Sequence, residues 1–85
     1  MFHYIYVLQF INSKEFYKGY TKNLKLRLEQ HKQGKVPSTM NKGQFKLIYF
    51  EGCINQQDAT HREKYLKKYL GRMFLKNRLK SYLIG

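Results

Sequence analysis

The sequence has a single cysteine, few acidic residues and no long apolar run, and each scarcity excludes a class of protein. Because Cys53 is alone, an internal disulfide and a zinc site built on paired cysteines are both excluded. No apolar run approaches the roughly 18 residues that a bilayer-spanning helix needs. The first ten residues, MFHYIYVLQF, lack the basic start and small-residue cleavage site of a signal peptide. We therefore expect a cytoplasmic protein that does not interact with membranes.

Basic residues greatly outnumber acidic residues. Lys and Arg number 17 against 5 Asp and Glu, which gives a formal net charge of +12. A polyanionic partner is the simplest reason for a compact chain to tolerate such self-repulsion. The basic residues extend from Lys14 to Lys80 and are interleaved with 8 Tyr and 6 Phe. This mixture predicts a folded surface that follows a phosphate backbone, with rings that pack or stack on bases.

Apolar periodicity and turn residues predict an α+β fold in the order β-β-α-β-α-α. Because the chain is short, we expect one domain over residues 1–85. The order predicts a small three-stranded antiparallel sheet flanked by helices. Gly34 and Gly71 are predicted to end the first and second helices. The predicted elements are two hairpin strands (His3–Phe10, Glu15–Thr21), a helix (Asn23–Gln33), a strand (Gln44–Cys53) and two helices (Gln56–Leu70, Arg72–Leu83).

Two of these helices carry polar residues on the face that should be buried. Positions i, i+3, i+4 and i+7 share one face, because each helical residue advances by roughly 100°. The stripe of the first helix consists of Leu24, Arg27, Leu28 and His31. The stripe of the second helix consists of Ala59, Glu63, Leu66 and Leu70. An arginine, a histidine and a carboxylate are therefore directed at the core.

Two interpretations of these polar residues remain open. Burying an unpaired charge costs several kcal/mol, so such groups are usually paired, hydrogen-bonded or bound to a metal. A salt bridge between Glu63 and Arg27 would join the two helices, and His31 alone is typical of a hydrogen-bonded interior histidine. Three polar residues directed at one sheet favour a shared cleft instead, since so small a core has little stability to spare.

The predicted hairpin adds two tyrosines to this cleft. Tyr6 and Tyr17 each carry an ionisable hydroxyl on a strand that could present it there, although the pattern also fits ordinary sheet aromatics. Gly19, inside the second strand, predicts the close approach of a backbone or a ligand.

An ordered set of motifs runs through the chain. It consists of Tyr4-Ile5-Tyr6, Tyr17-Lys18-Gly19, the LxxRLxxH pattern from Leu24 to His31, and Glu63 within ATHREKYLKKYL. With these gaps, the set resembles the GIY-YIG nuclease superfamily over nearly the whole chain. The chain is similar to small stand-alone bacterial proteins that are like the N-terminal nuclease domain of the UvrC-type excision-repair subunit. The first motif has YIY in place of GIY and the second has YKG in place of YIG, and both keep the tyrosine.

The resemblance implies a function and a role for each motif residue. It implies an endonuclease that hydrolyses nucleic-acid phosphodiesters, DNA in preference to RNA, with one Mg²⁺ or Mn²⁺ ion, leaving a 5′ phosphate and a 3′ hydroxyl. Glu63 would bind the metal and Arg27 would hold the scissile phosphate. Tyr6 or Tyr17 would help to take the proton from the attacking water.

The residue inventory is consistent with one metal ion. Two-metal nucleases need several carboxylates around ions about 4 Å apart, and Asp58 lies about 140° around the predicted helix from Glu63. A tyrosine base needs nearby cations such as Arg27, because the pKa of free tyrosine is near 10. A neutral His31 is an easier base near pH 7. We take Tyr6 as the leading base and His31 as its competitor or as the group that positions it.

Three further residues are candidates for contacts with nucleic acid. Lys18 and Thr21 lie in or beside the second motif and would contact phosphate, with simple solvent exposure as the alternative. Many members of the superfamily have a polar residue after the glutamate, and Asn77 is the candidate for it.

Two other functions fit the sequence less well than a nuclease does. A non-catalytic module on the same scaffold would bind nucleic acid with a strong salt dependence and would not need Glu63. A basic interaction protein would instead dock its last segment, GRMFLKNRLKSYLIG, as an amphipathic helix on an acidic partner or a membrane surface. The patterns predict no particular oligomeric state.

Overall fold

A computed structural model describes residues 1–85 and contains one sheet and four helices. The three strands pair antiparallel in the order β2-β1-β3. The predicted α+β class and three-stranded antiparallel sheet are confirmed. The elements are β1 (His3–Phe10), β2 (Phe16–Thr21), α1 (Leu24–Lys32), β3 (Phe45–Cys53), α2 (Gln56–Leu66), α3 (Tyr69–Arg78) and α4 (Lys80–Ile84).

The central strand β1 divides its side chains between the two faces of the sheet. Ile5 and Val7 point to one face, where they form the core cluster with side chains of α2 and α3. Tyr6 points to the opposite face, because successive strand residues alternate. Tyr6 pairs with Gly19 on β2, and that face is covered by α1 through a contact between Tyr6 and His31. Helices therefore cover both faces of the sheet.

Side-chain caps fix the starts of α1 and α2. The Asn23 side chain accepts a hydrogen bond from the Leu26 amide at 3.1 Å. The Asn55 side chain accepts from the amides of Gln57 at 2.8 Å and Asp58 at 3.1 Å. Each cap satisfies amide groups that have no partner within the first turn of a helix. No helix has the length and apolar character that a membrane crossing requires.

The predicted boundaries of the last two helices are wrong. α2 ends at Leu66 instead of Leu70, and the segment predicted as one final helix is divided at Leu79 into α3 and α4. Gly71 does not end α2, because it lies buried inside α3. A β-carbon at Gly71 would overlap the Tyr65 carbonyl oxygen and lie 2.5 Å from the Leu66 Cα. The glycine therefore permits close packing of α3 on the end of α2.

Leu70 consequently does not belong to the buried stripe of α2. Its side chain lies on the first turn of α3 and is 66% exposed. The other members of the stripe keep the predicted orientation, since Ala59 and Leu66 are buried and Glu63 is mostly buried.

We expect Gly71→Ala to lower the free energy of unfolding by about 1–3 kcal/mol, because overpacking forces the backbones of α2 and α3 apart. Alanine gains roughly 1 kcal/mol over glycine in helix propensity, so a net loss would isolate the steric effect. Urea denaturation monitored by circular dichroism measures the change. The exposed neighbour provides the control, and Leu70→Ala should change stability by less than about 0.5 kcal/mol. A stabilising Gly71→Ala would contradict the packing role.

Candidate active site

His31 lies at the centre of an aromatic cluster on the α1 face of the sheet. It is 5% exposed, and one aromatic ring from each strand packs against it. The centroid of its ring lies 5.6 Å from Tyr6, 5.4 Å from Tyr17 and 5.9 Å from Phe45, and all three contacts are edge-to-face. The inward face predicted for His31 is confirmed, and three strands and one helix converge on this imidazole.

Both ring nitrogens of His31 are hydrogen-bonded. Nε2 lies 2.7 Å from the Tyr6 hydroxyl, and Nδ1 lies 2.7 Å from the Thr39 hydroxyl. Thr39 in turn donates to the Val36 carbonyl oxygen at 3.4 Å. Because the Thr39 proton is directed at Val36, Thr39 Oγ1 accepts from Nδ1–H, and Nε2 accepts from Tyr6. This network assigns a neutral imidazole that carries its proton on Nδ1.

Burial sets the protonation states of this pair. Burial raises the pKa of Tyr6 to about 12, against the opposing influence of the Arg27 guanidinium. The hydroxyl is therefore protonated at neutral pH and can donate. Burial, followed by the charge of Arg27, lowers the pKa of His31 below its ordinary value. Near pH 7 the pair consists of a phenol that donates to a neutral imidazole, and the imidazole can receive the phenolic proton.

Because Gly19 has no side chain, the Tyr6 ring can lie across β2. A β-carbon at Gly19 would overlap the end of the Tyr6 ring and lie 2.8 Å from its Cε1 atom. The close approach predicted at this glycine is therefore made by a side chain of the protein, and not by a backbone or a ligand. Because β2 is an edge strand, the ring carries the Tyr6 hydroxyl from the central strand toward the free edge of the sheet.

Arg27 lies beside the Tyr6–His31 pair and has a buried N–H donor without a hydrogen-bond partner. Its Nη1 atom donates to the Gln30 side chain at 3.1 Å, but its buried Nε atom has no hydrogen-bond partner. Buried polar groups in folded proteins are nearly always paired, so an open donor requires an explanation. The influence of the guanidinium on the pKa of both Tyr6 and His31 places it next to them.

Glu63 approaches the same place from the other layer of helices. Its carboxylate forms an ion pair with Lys67, one helical turn away, at 3.1 Å, and 19% of its side chain is exposed. The salt bridge considered between Glu63 and Arg27 is wrong, because Glu63 pairs within its own helix. The negative charge of Glu63 nevertheless contributes to the raised pKa of Tyr6. Glu63 is therefore close enough to Tyr6 to act on it electrostatically.

The carboxylate content of the site is low. No group of three or more His, Cys, Asp or Glu side chains is arranged to hold a metal ion. A single carboxylate suits a hard cation such as Mg²⁺, which commonly takes one or two protein carboxylates and completes its shell with water and phosphate oxygens. The donor set is therefore compatible with one ion and not with a cage built by the protein alone.

The remaining four predicted residues do not form one cluster. The Tyr17 ring contacts His31, and its hydroxyl accepts from Ser38 at 3.2 Å. Lys18 is half-buried on β2, and its pKa is lowered by burial and then by the charges of neighbouring cations. Thr21 uses its hydroxyl to bond the backbone of Asn23 at the start of α1. Asn77 is exposed on α3 without a side-chain hydrogen bond.

Sequence reasoning missed Thr39. This residue is 5% exposed and holds the Nδ1 side of His31, although it lies in the segment predicted as a polar loop. A loop has no helix or strand period, so no pattern marked Thr39 as buried. The same segment supplies Ser38, the partner of Tyr17.

A family model described as the GIY-YIG catalytic domain matches residues 2–83. The chain belongs to the GIY-YIG family. GIY-YIG domains form a nuclease superfamily whose members generally use a divalent metal, so membership implies a nucleic-acid substrate. The resemblance to the GIY-YIG superfamily is thereby confirmed.

The relatives of this GIY-YIG chain include small proteins of the UPF0213 group. It is 36% identical over 67 residues to a UPF0213 protein of Oceanobacillus iheyensis, which covers 78% of this chain and 77% of that protein. It is 38% identical over 66 residues to a UPF0213 protein of Clostridium perfringens, with 76% and 70% covered. The chain is also similar to the solution NMR structure of a UPF0213 protein from Bacillus halodurans, with a TM-score of 0.57 and 26% sequence identity. The match covers 91% of this chain and 84% of the Bacillus halodurans chain.

The protonation of His31 predicts an acid-sensitive fold. Its pKa is lowered in the folded chain relative to about 6.5 in the unfolded chain, so the unfolded state binds more protons in the interval between the two values. The stabilising contribution is complete above the unfolded pKa and is lost as the pH falls from there through the folded pKa. Urea denaturation at pH 7.5 and pH 5.5 should show a larger loss in the wild type than in His31→Gln.

The exposed His61 offers the control for this measurement. We expect His61→Gln to keep the pH dependence of the wild type, because this exposed side chain lies outside the His31 network. Equal pH dependence in His31→Gln and the wild type would show that burial of the His31 imidazole does not destabilise its charged form.

Proposed function

We propose that the protein is a metal-dependent endonuclease that hydrolyses phosphodiester bonds, with DNA as its expected substrate. The observation that carries this proposal is the Tyr6–His31 hydrogen bond beside the unpartnered Nε of Arg27. A phosphate oxygen would supply the missing acceptor of Arg27. The hydroxyl and the imidazole would supply a route for the proton of the attacking water.

Arg27 is proposed to hold the scissile phosphate. Its guanidinium is permanently charged and presents N–H donors in a planar fork that matches phosphate oxygens. The bond from Nη1 to Gln30 fixes the plane of the fork before substrate binds. A donor that is already oriented needs no reorganisation as negative charge builds on the phosphate oxygens, so it favours the transition state.

Tyr6 is proposed to take the proton from water while passing its own proton to His31. With a pKa of about 12, Tyr6 is a poor source of free phenolate. Transfer of its proton to Nε2 of His31 avoids that species and leaves an imidazolium. The hydroxide attacks phosphorus, the bond from phosphorus to the 3′ oxygen breaks, and the leaving oxygen takes a proton from solvent. Thr39 acts as a positioning residue, because it keeps Nε2 free of a proton.

Glu63 is proposed to hold one Mg²⁺ or Mn²⁺ ion. It is the carboxylate whose charge acts on Tyr6, and carboxylate oxygen is the ligand that these cations prefer. When bound, the ion would neutralise charge on the phosphate and lower the pKa of a bound water. Glu63 is held in place by Lys67, whose ammonium group lies 3.1 Å from the carboxylate.

The metal and phosphate roles predict two inactive variants. We expect Glu63→Gln and Arg27→Lys each to lower the cleavage rate of labelled DNA by about 100-fold or more, the order found when one preorganised transition-state contact is removed. EDTA should abolish cleavage by the wild type. Purified protein is assayed on single-stranded, duplex and branched DNA and on RNA, in Mg²⁺ and in Mn²⁺.

Two variants with the same chemical changes provide controls. Glu29→Gln and Arg78→Lys alter an exposed glutamate and an exposed arginine outside the site, so their rates should equal the wild-type rate. Circular dichroism checks that each variant is folded. Metal-independent nucleic-acid binding without cleavage, unchanged in Glu63→Gln, would contradict the nuclease and leave a binding module on this scaffold.

The proposed proton route predicts how rate depends on pH and on Tyr6. Activity should rise with pH as His31 loses its proton, with a midpoint below the ordinary histidine pKa. Tyr6→Phe should lose activity at every pH, because no hydroxyl then connects water to the imidazole. Tyr4→Phe, on the same face of β1, should retain the wild-type profile. A Tyr6→Phe variant that keeps the wild-type rate would assign the base to His31 alone.

A further inference from the structure

A basic groove runs beside the proposed active site and is not used by the proposed chemistry. It lies between the β1–β2 hairpin and α3 and has a volume of about 510 Å³. We call it the β2-edge groove. Its cationic lining consists of Lys14, Lys18, Lys42, Arg72 and Lys76.

The β2-edge groove is continuous with the aromatic cluster. Tyr17 and Ser38 line one end of the groove, and their hydroxyls are hydrogen-bonded at 3.2 Å. The Tyr17 ring also contacts His31 in the aromatic cluster, with the two ring centroids 5.4 Å apart. A strand whose phosphate is held by Arg27 would therefore enter the groove on passing Tyr17.

Most of the cations in the groove have no acidic partner. Lys42 forms an ion pair with Glu15 at 3.8 Å, whereas the other four contact no carboxylate. At Lys18, burial and then the charges of Arg72 and Lys67 lower the pKa. Like charges held together weaken a folded protein, and a polyanion in the groove would remove this repulsion.

The arrangement combines elements that are distant in sequence. Lys18 projects from β2, while Arg72 and Lys76 are separated by one turn of α3 and share one of its faces. The half-buried rings of Phe16 and Tyr17, on consecutive residues of β2, also line the groove. A surface with lysines, an arginine and aromatic rings in one groove is typical of sites that follow a nucleic-acid backbone.

We propose that the β2-edge groove binds the phosphate backbone of the nucleic-acid strand that continues from the scissile phosphate, with Arg72 and Lys76 as its outer contacts. This inference rests on the proposed nuclease function. Contacts to phosphate carry no sequence information, so the groove would extend the grip on the strand without selecting bases. It would supply binding in a protein whose candidate active site contains few charged groups.

The test compares two double variants that remove the same charge. Arg72→Gln with Lys76→Gln changes the groove, and Arg78→Gln with Lys80→Gln changes an arginine and a lysine that do not line it. Glutamine keeps the helix propensity of both residues. It also keeps an N–H donor for the Lys67 carbonyl, which Arg72 bonds at 3.1 Å. Circular dichroism verifies the fold of each variant.

Binding of labelled single-stranded and duplex oligonucleotides is measured in EDTA at several salt concentrations. Loss of two phosphate contacts should make the slope of log affinity against log salt shallower by about 1.4 for single strands and about 1.8 for duplexes. Only the groove variant should show this shift. An oligonucleotide that ends at the scissile phosphate has no flanking strand that could reach α3. The groove variant and the wild type should therefore bind such an oligonucleotide with equal affinity.

Each outcome separates the groove from the nuclease. A wild type that cleaves DNA, with a groove variant whose salt slope is unchanged, would overturn the groove alone. An equal shift in both double variants would also overturn it, since net charge and not the groove would then govern binding. A wild type that neither binds nor cleaves any oligonucleotide would overturn the proposed function together with the groove.

Discussion

The candidate site depends on one buried imidazole whose two nitrogens must both find partners. His31 meets this requirement through Tyr6 on one side and Thr39 on the other. A buried nitrogen left without a partner would cost about 1–3 kcal/mol, a large fraction of the stability of so small a protein. The two bonds therefore fix the central strand, α1 and the loop before β3 relative to one another. The same bonds leave a phenol and a neutral imidazole oriented for proton transfer.

A comparison of Arg27 with Arg62, which is also half-buried, shows that the unpaired donor of Arg27 is specific to the site. Arg62 bonds both carboxylate oxygens of Glu51 at 2.9 Å and stacks on the Phe74 ring with its guanidinium carbon 4.5 Å from the centroid. Glu51 also accepts from the Tyr49 hydroxyl at 2.6 Å. This second network is fully paired and joins β3 to the helices. The fold can thus supply hydrogen-bond acceptors to a half-buried guanidinium, but it supplies none to the Nε atom of Arg27.

The sheet edge at β2 is where the two layers of the protein contribute to one surface. Tyr6 reaches it over Gly19, and the charge of Glu63 on α2 acts on the pKa of Tyr6 from the opposite layer. Arg72 approaches the same edge because Gly71 permits the start of α3 to pack directly on the end of α2. Two glycines, one in a strand and one in a helix, therefore determine which charged groups surround the edge. A side chain at either position would separate elements that the site needs together.

Local patterns in the sequence determined the hairpin and the face on which Arg27, His31 and Glu63 lie. Periodicity reports these features because it records which side of an element avoids water. Only the tertiary structure decided what each polar group meets: Thr39 behind His31, and Lys67 in place of Arg27 beside Glu63. Those partners come from a loop without a period and from helix packing. The end of α2 was decided in the same way, because Gly71 serves a contact between helices that no single helical pattern contains.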